Sequence, residues 1–135
     1  MKQPEAKFKT ALVDAFLELF PTGFYAYTKA LGANGLPDLR FAAPGLGGAW
    51  AEAKVGANGL SKLQARCISR MQAAGEAAVV VRFDNPLCID KKAQAFIIAR
   101  GWSPAAGETH LGTFIGRESL RSAAFWTFLL TGNRL

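Results

Sequence analysis

Hydrophobic side chains recur every three or four positions near the start of the chain, and this spacing predicts a helix over about residues 4–20. Its buried stripe consists of four residues: Phe8, Leu12, Phe16 and Leu19. Proline suits the first turn of a helix, and the run Pro21-Thr22-Gly23 ends this one. The aromatic segment 24–29 that follows predicts a strand.

Alternation of polar and apolar residues replaces the helical spacing between residues 38 and 55. Two alternating segments flank a glycine-rich connection at 44–48, which predicts a β-hairpin. The expected pairs are Ala43 with Ala49, Arg40 with Glu52, and Asp38 with Lys54. The charged residues then share one face, and the other face holds five apolar residues: Leu39, Phe41, Ala51, Ala53 and Val55. From the spacing alone, cross-strand salt bridges on a solvated face explain the charged cluster as well as a functional site does.

A helix from Ser61 to about residue 74 follows, because Ser61 and Gln64 have the spacing of a capping box and Gly75 provides a C-terminal stop. The continuous apolar run in 76–83 predicts a buried central strand. A strand, a helix and a strand in this order imply a right-handed crossover with parallel strands. The sheet is therefore expected to be mixed.

The C-terminal part is expected to be mainly helical. Asp90 would cap a helix over about 91–100 that Gly101 ends, and 118–131 would form a final apolar helix. Residues 111–115 predict a short strand between the two helices. The final helix would either complete the core or cover a partner subunit.

Composition indicates one ordinary globular domain over residues 1–135, with 50% hydrophobic and 19% charged residues. The net charge of +6 suits a polyanionic partner such as nucleic acid. Cys67 and Cys88 are far apart and lack metal-ligand spacing, and Cys67 is expected to be a small core residue, which fits a reducing compartment. His110 has no metal-ligand companion and is expected to be a structural or surface residue. No segment resembles a signal peptide or a membrane span, which predicts a cytoplasmic protein without a membrane partner.

One ordered set of residues resembles the PD-(D/E)XK nuclease superfamily. The set is Glu5 in a first helix, Gly35-Leu36-Pro37-Asp38, Glu52-Ala53-Lys54, Ser61-Lys62-Leu63-Gln64 and the strand Val79-Val80-Val81. It looks like the VRR-NUC branch and small stand-alone phage-type nucleases, including Holliday-junction resolvases, over about residues 4–83. The resemblance implies an α/β, restriction-endonuclease-like fold, a mixed sheet flanked by helices on both faces. The core would span about 4–100, with a helical extension over 101–135.

The resemblance also implies a site for Mg²⁺ or Mn²⁺. Asp38, Glu52, the Ala53 carbonyl and Glu5 would bind the metal, Lys54 would orient water or stabilise charge on the phosphate, and Gln64 would fix a neighbouring ligand or the DNA backbone. We expect nucleic acid to contact three further residues: Lys29, Lys62 and Arg66. From the residues alone, the helix dipole explains Glu5, the capping box explains Gln64, and an ordinary loop explains Lys29.

The expected function is a metal-dependent DNA endonuclease, with branched or junction DNA among its candidate substrates and a homodimer as its candidate assembly. Two alternatives remain at this point. The same fold would serve as a nucleic-acid-binding module without turnover, or as a protein-interaction module that uses the final helix. Metal dependence separates the enzyme from both alternatives.

Overall fold

A mixed β-sheet with helices on both faces forms the centre of the computed structural model. The structure describes six ranges: 4–28, 35–56, 59–83, 95–103, 107–115 and 117–131. The elements are α1 (Pro4–Leu19), β1 (Phe24–Tyr27), β2 (Leu39–Ala43), β3 (Gly47–Val55), α2 (Lys62–Ala73), β4 (Ala78–Phe83), β5 (Ala95–Ser103), β6 (Gly107–Ile115), a 3₁₀ helix (Arg117–Arg121) and α3 (Ala123–Thr131). The described strands lie in the order β1-β2-β3-β4-β5-β6. Only β3 and β4 are parallel among the described pairs, and α2 connects them, so the predicted parallel strands and the mixed sheet are confirmed.

The hairpin of β2 and β3 forms as predicted, but its register is wrong by two residues. Ala43 pairs with Gly47, not with Ala49, and Arg40 pairs with Trp50, not with Glu52. The chain reverses in three residues because Gly45 and Gly47 adopt φ of 80° and 78°, which L side chains rarely allow. A shift of two leaves each side chain on its predicted face. The same register continued by one pair sets Asp38 level with Glu52, not with Lys54.

The main core lies between the sheet and the helices α1 and α3. Phe16 of α1 contacts Phe41 of β2 and Trp126 of α3, with ring centroids 4.9 and 5.2 Å apart. These rings are completely buried. The buried stripe predicted for α1 is confirmed at Phe8, Leu12 and Phe16, whereas Leu19 is half-buried.

The final helix completes this core. Its buried side chains are Phe125, Trp126, Leu129 and Leu130. The indole N–H of Trp126 donates to the Leu120 carbonyl at 2.6 Å, which ties α3 to the preceding 3₁₀ helix. The apolar residues that would have formed a dimer interface are therefore already packed within the chain.

The second face of the sheet is covered by α2. Ile68 of α2 packs with Ala78 and Val80 of β4 in a smaller buried cluster. The predicted capping box is present, since Ser61 Oγ accepts from the Gln64 N–H at 3.1 Å and Gln64 Oε1 accepts from the Ser61 N–H at 2.9 Å. Gly75, with a φ of 88°, ends the helix as expected.

The helix expected over about 91–100 is wrong. Residues 95–103 form β5, which pairs with β4 and β6, while the proposed cap at Asp90 and residues 91–94 lie outside the described residues. The strand expected over 111–115 is confirmed and begins earlier, at Gly107. The region 101–135 is consequently not a helical extension, because part of it belongs to the sheet. None of the described helices is long and apolar enough to cross a membrane.

Candidate active site

Asp38 lies just before β2, and the neighbouring edge strand holds it in place. Thr28 follows β1 and is buried; its N–H donates to the Asp38 carbonyl at 2.9 Å. The Thr28 hydroxyl also donates to the Pro37 carbonyl. Gly35 approaches α2 so closely that a Cβ would lie 2.8 Å from the Leu63 carbonyl oxygen. The turn that carries Asp38 is therefore fixed from two sides.

Glu52 and Lys54 lie on the central strand β3, on the face covered by α2. Strand alternation directs them to that face while Ala51 and Ala53 enter the main core. The exposed fractions are 1% for Glu52, 7% for Lys54 and 8% for Asp38. The charged hairpin face is thus buried, not solvated, which excludes the surface-salt-bridge explanation.

Two side chains contact the Glu52 carboxylate. Lys54 Nζ lies 3.7 Å from Oε2, and Gln64 Nε2 donates to the same oxygen at 3.2 Å. Gln64 consequently has two roles: its carbonyl oxygen caps α2 and its amide nitrogen binds Glu52. The capping box is therefore confirmed, and the same side chain also contacts Glu52, while its role in a site stays a prediction.

The Asp38 carboxylate has its own pair of contacts. Its Oδ2 accepts from the Ala53 N–H at 3.2 Å, and its Oδ1 lies 3.7 Å from Lys9 Nζ on α1. The backbone contact joins Asp38 to the residue between Glu52 and Lys54. In the described part of the structure, Lys9 thus lies beside the Asp38 carboxylate and Lys54 beside the Glu52 carboxylate.

Burying these charged side chains has a large unfavourable desolvation free energy. Removing paired charges from water costs several kcal/mol per ion, and well-packed apolar residues of similar volume are often at least as stabilising. The main core shows that the chain builds apolar packing on the opposite face of the same strands. The buried charges are therefore not explained by a contribution to stability.

The donor set fits a hard divalent cation. Mg²⁺ prefers carboxylate and other oxygen ligands, keeps several waters, and is commonly bound by one or two carboxylates together with substrate phosphate. Asp38, just before β2, and Glu52 on β3 supply two buried carboxylates. Among the described residues, three or more acidic, histidine or cysteine side chains do not gather at one point. Glu5 is in the first turn of α1, but its side chain lies outside the described part of the structure.

The structure thus brings together four residues that the sequence indicated: Asp38, Glu52, Lys54 and Gln64. Ala53 joins them through its N–H. Lys62 and Arg66 are exposed on α2, whereas Lys29 lies outside the described residues. Sequence analysis missed Lys9, although it is one turn after Glu5 on α1 and the i, i+4 spacing places both on one side of the helix.

Beside the carboxylates, Arg40 of β2 stacks on Trp50 of β3, with its guanidinium carbon 5.1 Å from the ring centre. These two residues form a cross-strand pair on the α2 face.

Cys67 of α2 is half-buried and carries a free thiol. Burial raises the pKa of this thiol, an effect that Arg70 partly opposes. The thiol is therefore mainly protonated at neutral pH and lacks the character of an activated nucleophile.

Comparison of the chain with protein-family models, with curated proteins and with solved structures found no match.

Proposed function

We propose that the protein is a divalent-metal-dependent DNA endonuclease that hydrolyses phosphodiester bonds. The observation that carries the proposal is the joint burial of Asp38, just before β2, and of Glu52 and Lys54 on β3, with Gln64 on Glu52. The resemblance to the PD-(D/E)XK pattern supplies the reaction class. The net charge of +6 supports a polyanionic substrate.

In this reaction a water oxygen forms a bond to phosphorus, the bond from phosphorus to one ester oxygen breaks, and the leaving oxygen takes a proton. Asp38 and Glu52 would hold the cation, with Glu5 and the Ala53 carbonyl as further candidate ligands. A bound Mg²⁺ or Mn²⁺ supplies positive charge at the phosphate and lowers the pKa of a bound water. Lys54 would donate to the attacking water or to the phosphate oxygens as their negative charge increases.

The remaining residues orient these groups. Gln64 fixes one oxygen of the Glu52 carboxylate through its amide nitrogen, and the Ala53 N–H fixes one oxygen of Asp38. A carboxylate held in one orientation presents its other lone pairs to a ligand without further loss of entropy. Lys9 neutralises Asp38 from α1 and so reduces the repulsion between the carboxylates and an approaching phosphate.

A nucleic-acid-binding module without turnover is the second candidate, and the ion pairs favour it. Lys9 with Asp38 and Lys54 with Glu52 form a locally neutral set that holds together without a cation. A scaffold has little use for carboxylates near a phosphate surface, however, because they oppose binding of a polyanion. We therefore rank the endonuclease first.

The test is cleavage of supercoiled plasmid, linear duplex and four-way-junction DNA in Mg²⁺, Mn²⁺ or EDTA. Wild type is compared with Asp38→Asn, which keeps the side-chain shape and removes the charge. Glu76→Gln is the matched control, since Glu76 is an exposed acid beyond the end of α2. Cleavage by wild type and by the control, absent in EDTA and in Asp38→Asn, would support the endonuclease.

Absence of cleavage under every metal condition would overturn the proposal. DNA binding that is equal in wild type and Asp38→Asn would then favour the scaffold. The DNA form that is cut fastest identifies the substrate class, and sedimentation of the same samples tests the homodimer.

A further inference from the structure

Large aromatic side chains are exposed at one edge of the described sheet. The edge strand β1 contributes Phe24, Tyr25 and Tyr27. Among the residues whose side chains the structure describes, the only other exposed large hydrophobic side chain is Leu63 on α2. Most other aromatic rings with described side chains are packed in the core. A local concentration of exposed rings commonly marks a contact surface.

Tyr25 and Tyr27 form one unit, which we call the tyrosine platform. They pair with Phe41 and Leu39, so both lie on the same face of the sheet, with exposed fractions of 38% and 44%. Their ring centroids are 6.1 Å apart and the planes are nearly perpendicular at 86°. Each ring holds the other in place and leaves aromatic surface open to solvent.

The platform is anchored to α1. Tyr27 lies near Thr10 and Asp14 of α1, and partial burial together with Tyr25 and Asp14 raises the pKa of the Tyr27 phenol. The phenol is therefore neutral at physiological pH and does not repel a phosphate. A neutral ring with restricted motion loses little entropy when a planar group stacks on it.

Two short links join the platform to the candidate active site. Lys9 precedes Thr10 on α1 and lies 3.7 Å from Asp38, so consecutive residues of one helix contact the site and the platform. On the other side, Thr28 follows Tyr27 and donates to the carbonyl groups of Pro37 and Asp38. The backbone of Tyr27 therefore lies next to that of Asp38, but the tyrosine ring and the α2-covered site are on opposite faces of the sheet. A DNA strand in contact with both would have to pass around the β1 edge.

We propose that the tyrosine platform binds an unpaired nucleotide of a DNA strand by base stacking. Only a base outside the duplex stack has a free face, and aromatic side chains bind such faces without regard to sequence. The charge of +6 favours this polyanionic ligand over an apolar peptide. The location next to Asp38 rests on the proposed function, whereas the binding itself does not require cleavage.

The experiment measures the anisotropy of a labelled single-stranded oligothymidine in EDTA, where no hydrolysis takes place. Wild type is compared with Tyr25→Ala, Tyr27→Ala and the corresponding substitutions by phenylalanine. Leu63→Ala is the matched control because it removes an exposed apolar side chain on the opposite face of the sheet. Each alanine variant should bind roughly ten-fold more weakly. The two phenylalanine variants and Leu63→Ala should bind the oligothymidine as tightly as wild type does.

Alanine variants that bind like wild type would overturn the proposal, and so would phenylalanine variants that are as weak as the alanine variants. An equal loss for the duplex of the same sequence would also overturn it, since paired bases offer no free face. If Tyr25→Ala changes only the oligomeric mass, the strand edge binds protein instead. Plasmid cleavage in Mg²⁺ is measured separately, so failure of the endonuclease with retained stacking is distinguishable from the reverse.

Discussion

Along β3, odd-numbered residues pack against α1 and α3, whereas even-numbered residues face α2. The first face is filled with aromatic and aliphatic side chains, and the second face combines a small apolar cluster with buried carboxylates and a buried lysine. Apolar burial stabilises a fold by roughly 25 cal/mol per Å², while buried ion pairs add little on balance. The apolar packing that stabilises the fold and the buried charges of the candidate site therefore lie on opposite sides of the same strands.

Of the substitutions considered, one on the apolar face of the sheet should have the largest effect on stability. Phe16→Ala removes a completely buried ring that contacts Phe20, Phe41 and Trp126. The free energy of unfolding in urea should fall by about 3–5 kcal/mol, because the cavity cannot close around so many rings. Phe24→Ala, at an exposed position, should change it by less than about 0.5 kcal/mol. Equal effects at both positions would contradict the observed division of the sheet.

Lys54→Met should affect catalysis more than substrate binding. The substitution removes the ammonium group 3.7 Å from Glu52 while keeping the aliphatic stem, so kcat should fall about 100- to 1000-fold. Lys62→Met makes the same charge change at an exposed position of α2. It should weaken DNA binding and lower the salt dependence by about one unit of slope, with kcat retained. If Lys54→Met changed only KM, Lys54 would contribute to substrate binding and not to catalysis, and its assignment to the active site would be wrong.

The two functions of Gln64 can be separated. Gln64→Glu keeps an acceptor for the Ser61 N–H but replaces the donor to Glu52 with a second carboxylate, so cleavage should fall about 10- to 100-fold. Ser61→Ala loses the capping hydroxyl and should cost about 1 kcal/mol of stability while cleavage persists. Parallel losses of stability and activity in both variants would mean that Gln64 acts only through the helix.

Local patterns were sufficient to predict the N-terminal elements and most of the site. Helix caps, glycine stops and strand alternation are encoded within a few residues, which is why α1, α2 and the hairpin agree with the sequence. The face on which a charged residue lies depends only on whether its position is odd or even. The predicted register was wrong by two residues, so each charged residue kept its predicted face. The clustering of Asp38, Glu52 and Lys54 on one face followed from that alternation, whereas their proposed roles came from the family resemblance.

Features that depend on contacts between distant parts of the chain could not be predicted from local sequence patterns. Residues 95–103 contain a short apolar run that is compatible with a helix or a strand, and pairing with β4 decides between them. The contact of Lys9 with Asp38 depends on how α1 packs across the sheet, which no local pattern encodes. The burial of the charged face could likewise be known only after α2 was placed over it.

Lys9→Met gives the smallest expected effect, and it tests whether the charged face is balanced for a cation. In the structure, Lys9 neutralises Asp38 at 3.7 Å, so an incoming Mn²⁺ or Mg²⁺ must compete with this ammonium group. Its removal should tighten Mn²⁺ binding by roughly five-fold in calorimetry without DNA, since a charge pair near 4 Å is worth about 1 kcal/mol in water. The exposed Lys62→Met should leave the metal affinity unchanged. Weaker Mn²⁺ binding after Lys9→Met would instead show that Lys9 holds Asp38 in the orientation that the cation needs. Because the readout is metal affinity alone, it distinguishes these two roles of Lys9 even in a protein that does not cleave DNA.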